Sequence, residues 1–140
     1  HIVLKKKGKP PKGYDSWFEH ELHHGELKTC EYHTKVIPYT QQKTYEPDFQ
    51  LDSKTGYIYI EAKGRFRDSE EARKYVDIRQ CMGRFDELVF LFYEPNTPMP
   101  RARRRSDGTK FTMADWAKKN GFRYYTKWTA RQLLKEAKAC

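Results

Sequence analysis

Apolar and polar positions alternate most regularly between Tyr45 and Lys63, YEPDFQLDSKTGYIYIEAK. Ser53-Lys54-Thr55-Gly56 reads as a four-residue hairpin loop closing on glycine. Asp52 then opposes Tyr57, Leu51 opposes Ile58, Gln50 opposes Tyr59, Phe49 opposes Ile60 and Asp48 opposes Glu61. Side chains alternate across a strand, and directly opposed residues share a face. One face therefore carries Phe49, Leu51, Ile58, Ile60 and Ala62. The other carries Asp48, Gln50, Asp52, Tyr57, Tyr59, Glu61 and Lys63. A slip of one residue would mix the two sets, so the pattern selects this register.

The remaining elements follow from periodicity and caps. Ser16 with Glu19 at the third helical position is a capping box, with Phe18 and Leu22 on one face and an end near Gly25. Leu27 to Pro38 reads as extended, with Cys30, Tyr32, Thr34 and Val36 alternating against Glu31, His33 and Lys35. Asp68-Ser69-Glu70-Glu71 opens a second helix, its acids where the dipole favours them, running to about Met82 and stopping at Gly83. Glu87 to Tyr93 is a nearly continuous apolar run, the mark of a central strand buried on both faces. After a loop from Pro95 to Lys110, Thr112 caps a short helix with Phe111 and Trp116 as its staple, ended by Asn120-Gly121. Phe122 to Tyr125 is a last short strand. Thr129 and Gln132 form another box, with Trp128 and Leu133 as its staple, before a helix toward Cys140. The order predicts an α/β domain with a mixed sheet flanked by helices. The apolar helix faces are narrow, so a partner chain is expected to complete the core.

Charge narrows the partners. The chain has 140 residues, enough for one domain, and 28 basic against 19 acidic residues give a net charge of +9. That surplus favours a polyanion, nucleic acid first. Residues 1–14 read as a basic arm in which Lys5, Lys6, Lys7, Lys9 and Lys12 stand among Gly and Pro, and residues 15–140 as a single domain. The ten Tyr, eight Phe and three Trp are core formers first and base-stacking groups second. No apolar run approaches the ~20 residues of a membrane span and no secretory h-region is visible. A chain starting at His1 without Met reads as processed or truncated. Cys30, Cys81 and Cys140 are odd in number and widely spaced, which argues against a disulfide framework and for a reducing, cytoplasmic compartment.

The hairpin carries the candidate chemistry. Its register sets Asp48 and Glu61 side by side, roughly 5 Å apart at Cβ, with Lys63 next on that face. Opposed like charges are destabilising and need a reason. Two hard oxygen ligands suit Mg²⁺, which prefers a few carboxylates, several waters and substrate phosphate. A solvated face on which Lys63 neutralises Glu61 is the plain alternative. His20-x-x-His23 and Cys30-x-x-His33, with His24 nearby, have zinc-like spacings, but strand alternation would put Cys30 and His33 on opposite faces. Arg65, Arg67, Arg73 and Lys74 flank the hairpin's end, where a phosphate backbone would run. Arg101, Arg103, Arg104, Arg105 and Lys110 form a second clamp or a plain basic loop.

Pro47-Asp48 followed by Glu61-Ala62-Lys63 matches the PD-(D/E)xK signature of restriction-endonuclease-like nucleases. Ser16-Trp17-Phe18-Glu19, Tyr45-Glu46-Pro47-Asp48-Phe49, Ile60-Glu61-Ala62-Lys63-Gly64, the basic helix, Glu87 to Phe92 and the stretch from Thr112 to Phe122 resemble the phage endonuclease I family of four-way (Holliday) junction resolvases, over roughly Ser16 to Tyr124. The resemblance implies a restriction-endonuclease-like fold in an intertwined, element-swapped homodimer. It implies cleavage of branched DNA with Mg²⁺, for which Mn²⁺ substitutes, in the host cytoplasm if the chain is phage-encoded. It makes Asp48 and Glu61 metal ligands assisted by the Ala62 carbonyl. Lys63 orients the attacking water. Glu19, from the partner's first helix, is the remaining acid and a possible metal ligand; Glu21 and Glu26 lie close, and only the resemblance selects among the three. His23, four residues after Glu19 on one helix face, is placed to pair with it or to approach the scissile phosphate. Glu46, the dense arginines and the Lys-rich start depart from the family and leave substrate preference open. A sequence-specific or nicking duplex endonuclease of the same fold, and a non-catalytic DNA-binding module, are the alternatives.

Overall fold

A computed structural model describes residues 8–139. These fall into two compact units, one up to Gln42 and one from Lys43 onward.

The first unit is built on α1 (Trp17–His24). Ser16 Oγ accepts from the Glu19 N–H at 3.1 Å, as an N-cap should. The Glu19 carboxylate takes the Ser16 hydroxyl at 2.8 Å rather than the cap's own N–H, so only half of the expected box forms. Gly25 closes the helix. The strand expected over Leu27 to Pro38 does not form: turns run to Cys30, and the rest is irregular. A lone extended segment has no ladder to satisfy its backbone. No strand lies in this unit among the described residues, and Val36 is left 95 % exposed.

The second unit holds β1 (Phe49–Asp52), β2 (Tyr57–Lys63), α2 (Ser69–Gln80), β3 (Glu87–Phe92), α3 (Met113–Lys119), β4 (Tyr124–Tyr125) and α4 (Ala130–Ala139). The strands form one open mixed sheet in the order β1-β2-β3-β4. β1 and β2 pair antiparallel with Phe49 opposite Ile60, Gln50 opposite Tyr59, Leu51 opposite Ile58 and Asp52 opposite Tyr57, the register that alternation selects. The loop closes through Ser53, whose N–H donates to the Gly56 carbonyl at 2.9 Å. Gly56 is required there, because a Cβ would stand 2.3 Å from the Phe85 carbonyl oxygen. β3 runs parallel to both β2 and β4.

β3 is buried on both faces, as its apolar run implies. Leu88, Phe90 and Phe92 meet α2 and α3 through Tyr75, Met113 and Trp116, together with Phe122 from the turn after α3. Val89 faces the other way, with Ile58 and Ile60, against Leu133 and Ala137 of α4. This division decides the fate of the polar hairpin face. Glu61 lies on the side that α2 covers and is only 7 % exposed, so the solvated-face alternative does not hold at Glu61.

The reciprocal Thr112–Asp115 capping box forms at α3. The one expected at Thr129 does not. Thr129 Oγ1 accepts from the Thr126 N–H at 2.8 Å in the preceding turn, and Gln132 donates to Glu136 at 3.1 Å. The staple is open as well: Leu133 is drawn into the sheet while Trp128 stays 85 % exposed. No described helix is long and apolar enough to cross a membrane.

Candidate active site

Backbone pairing of the hairpin ends at Phe49 and Ile60, and a side chain takes over. Asp48 Oδ2 accepts from the Ala62 N–H at 2.9 Å, which ties this exposed carboxylate to the strand one residue beyond Glu61. Glu61 is held from two directions. The Tyr45 hydroxyl, from the segment entering β1, donates to Oε1 at 2.5 Å. The Tyr75 hydroxyl, from the middle of α2, donates to Oε2 at 3.1 Å. Lys63 Nζ lies 3.9 Å from Glu61 Oε2 and 3.2 Å from Glu71 Oε2, with the Tyr75 ring centroid at 5.3 Å. Glu71 also accepts the Arg67 N–H at 2.8 Å. Buried charges need partners, and this set supplies them.

The electrostatics keep each group in its useful form. Burial, reinforced by Glu61, pushes the Tyr75 phenol up to about 12. Burial and the Glu61 hydrogen bond lift Tyr45 well above the ordinary phenol range. Both remain O–H donors near neutrality. Burial alone would lower Lys63, but Tyr75 and Glu71 outweigh it and its ammonium is held above the ordinary lysine range. Burial pushes Glu71 up, yet the Arg67 N–H and Lys63 prevail and hold its carboxyl below the ordinary range.

A carboxylate offers about four acceptor positions. The tyrosines occupy one on each Glu61 oxygen and leave the others, and Asp48 Oδ1 accepts no hydrogen bond from the described residues. The donor set at this strand end is therefore all oxygen: Asp48, Glu61 and the Ala62 carbonyl. That chemistry fits a hard divalent cation such as Mg²⁺.

An open cleft of about 470 Å³ adjoins the cluster, lined by Lys63, Arg65, Phe66, Arg67, Glu71, Pro98 and Pro100. Arg65 is exposed there, while Arg67 Nε bonds Asp68 at 3.1 Å. Arg73 and Lys74 sit on the exposed side of α2. The arginine-rich loop is organised by its own side chains. Arg104 donates to the Gly108 carbonyl at 2.6 Å, and Arg105 reaches Thr109 at 3.0 Å and Asp115 at 3.4 Å. Arg101 and Arg103 are exposed, and Lys110 is half-buried. Lys9 is exposed in the first unit; Lys5, Lys6 and Lys7 lie outside the described residues.

Glu19 belongs to the first unit and Asp48, Glu61 and Lys63 to the second. Its Oε1 accepts the Tyr32 hydroxyl at 3.0 Å, and His33 Nε2 approaches to 3.5 Å. The Ser16 and Tyr32 hydroxyls hold its carboxyl below the ordinary range. The expected His23 pairing is replaced: His23 bonds the Tyr14 hydroxyl at 2.6 Å and the Cys30 carbonyl at 3.1 Å. The zinc-like set His20, His23, Cys30 and His33 is not gathered either. The potential ligand atoms that do converge in this unit, within 4.8 Å, belong to Asp15, Glu19 and His33.

The family model of phage endonuclease I matches residues 4–140. The chain belongs to the phage endonuclease I family. No curated protein matches it. Membership makes the chain an endonuclease and implies DNA as its substrate.

Three residues of this phage endonuclease I family member escape a reading of the sequence: Tyr45, Glu71 and Tyr75. Tyr45 stands three residues before Asp48, where it looks like part of the entry to a strand. Glu71 passes for an acid at a helix N-terminus, although the N-cap there is Asp68. The available signal was spacing. Tyr75 follows Glu71 by four and Ala72 by three, so all three share one side of α2.

Proposed function

We propose that this chain is a divalent-metal-dependent endonuclease that hydrolyses phosphodiester bonds in branched DNA, four-way junctions above all. The observation that carries the reading is the buried Glu61 carboxylate, with each oxygen already oriented by a tyrosine hydroxyl, beside Asp48 and Lys63. A structural carboxylate that buried would end in a complete ion pair. Here the ammonium lies closer to Glu71 than to Glu61.

Asp48, Glu61 and the Ala62 carbonyl would hold the cation, Mg²⁺ or Mn²⁺. When bound, the cation supplies polarisation of the phosphate and acidification of water. Lys63, kept charged by Glu71 and Tyr75, orients the attacking water and stabilises charge developing on the phosphate. Water attacks phosphorus in line, and the bond to the leaving sugar oxygen breaks opposite it. Arg65 and Arg67 in the adjoining cleft take neighbouring phosphates; Arg73, Lys74 and the loop from Arg101 to Lys110 extend that path, with the basic arm of residues 1–14 beyond it.

The family resemblance supports a restriction-endonuclease-like nuclease domain over residues 15–140 and a homodimer of composite sites, with Glu19 of one chain serving the other. Two symmetric sites suit the two cuts that a two-fold junction needs.

The deciding experiment is cleavage of junction, flap, nicked and linear DNA with Mg²⁺ or Mn²⁺. Selective cutting of junctions, lost in Lys63→Ala and Asp48→Ala, is expected. Equal cutting of linear duplex and junction removes the branch preference. No cutting, or full activity in both variants, removes the catalytic assignment. Gel filtration that yields a monomer removes the shared site.

A further inference from the structure

The outward side of α4 carries a charge pattern that the catalytic cluster does not use. Leu133 and Ala137 face the sheet against Ile58, Ile60 and Val89. On the outside, Lys127, Arg131, Lys135 and Lys138 follow at steps of four, four and three, which puts them along one side of the helix and its lead-in turn. All four are exposed, and none has an ion-pair partner among the described residues. The one acid between residues 126 and 139 is Glu136. Its carboxylate is already held by Arg123 at 2.8 Å and Tyr125 at 2.5 Å on the flank of the helix. Nothing on α4 therefore neutralises the stripe.

The same surface presents flat apolar area. Trp128 is 85 % exposed, with Lys127 Nζ 5.5 Å from its ring centroid, and Leu134 beside the stripe is 45 % exposed. A stripe that served solubility alone would have no use for an exposed indole. Regularly spaced cations beside an open aromatic face match nucleic acid: phosphates meet the cations and an unpaired base stacks on the ring.

We propose that the outer face of α4 is a second DNA-contact surface, on which the four cations track a phosphate backbone and Trp128 stacks on an unpaired base. The proposal rests on the reading of the chain as a DNA endonuclease. Its position gives it a distinct role. α4 covers the sheet face opposite the one that carries Glu61 and Lys63, and a helix about 10 Å thick adds to the separation. The DNA segment held on α4 is thus a different one from the segment being cut. A branched molecule supplies both segments at once.

The test uses the full chain in metal-free buffer, with fluorescence anisotropy of a labelled four-way junction across a salt series. The triple variant Arg131→Gln, Lys135→Gln, Lys138→Gln is expected to weaken binding and to flatten the slope of log Kd against log salt by about 3, near one unit per lost phosphate contact. Its cleavage rate at saturating DNA should match wild type. Trp128→Ala should weaken binding of a junction carrying unpaired bases on the order of tenfold, with little change for a fully paired one. Circular dichroism confirms that these surface variants fold. An unchanged affinity and slope in the triple variant overturns the proposal, as does an equal loss of both junctions in Trp128→Ala. If wild type binds and cuts while the triple variant is indistinguishable from it, only the α4 surface fails. If wild type neither binds nor cuts DNA, the endonuclease reading fails with it.

Discussion

Two polar clusters stand at opposite ends of the β2–β3 pair, built from the same residue types with different results. At the Ile58–Glu87 end, Arg123 grips Glu87 through two hydrogen bonds of 2.7 and 2.8 Å and reaches Glu136 at 2.8 Å, while Tyr125 donates to the same Glu136 oxygen. Every charge there has an opposite charge in direct contact, and Glu87 holds Arg123 above the ordinary arginine range. It is a clasp joining β3, β4 and α4. At the Lys63–Phe92 end, the buried Glu61 is oriented by neutral hydroxyls, its lysine is drawn toward Glu71, and Asp48 lies exposed one step away. A closed ion pair spends its lone pairs on stability. Orientation by phenols leaves lone pairs available for something that binds.

Substitutions should separate the two ends. The largest effect is expected from Lys63→Ala: cleavage falls by about 10²–10³-fold, as for loss of one charge-stabilising donor, and the nearly buried Glu61 and Glu71, left without their cation, cost about 3 kcal/mol of stability. Single-turnover cleavage beside urea titration measures both. Arg123→Met should register on stability alone, with a loss of about 2 kcal/mol from leaving Glu87 and Glu136 without their cation and an unaltered cleavage rate in the folded fraction. A rate loss in Arg123→Met would break the division.

Tyr75→Phe should register on both scales. Removing the donor leaves a buried carboxylate oxygen short of a partner, for about 1 kcal/mol of stability, and loosens Glu61 for roughly a tenfold slower single-turnover rate. Mn²⁺ titration by calorimetry gives a further readout, with weaker binding expected. The smallest effect is pH dependence. Tyr75 is raised from 10.0 to about 12 in the folded chain, so its contribution is full below pH 10 and is lost as pH rises through about 12. Lys63, also raised, acts in the same direction. Wild type should lose stability more steeply than Tyr75→Phe over that interval, as measured by urea unfolding at each pH; parallel curves would remove the phenol from the account.

The hairpin register from Phe49–Ile60 to Asp52–Tyr57 was legible because its period of two and its glycine-closed loop are local facts; the expected Asp48–Glu61 step lies beyond the paired ladder, where Asp48 bonds the Ala62 N–H instead. The burial of β3 and the Thr112 cap were readable for the same reason. The failures share a cause. Leu27 to Pro38 alternates like a strand, but a strand exists only where another can pair with it. Thr129 sits in a sound capping pattern, yet the turn before it takes its hydroxyl. Local pattern proposes, and competition among neighbours decides.

The sequence by itself determined which residues share a strand face, and so that Asp48, Glu61 and Lys63 come together, because alternation and the tight loop leave one register. It also determined the cationic excess that points to DNA. Only the tertiary structure decided that α2 would roof this face, bury Glu61 and supply Tyr75 and Glu71, and that α4 would turn a basic stripe outward on the opposite side. Those outcomes depend on which helix packs on which face of the sheet, a long-range choice made by the core and by no single segment.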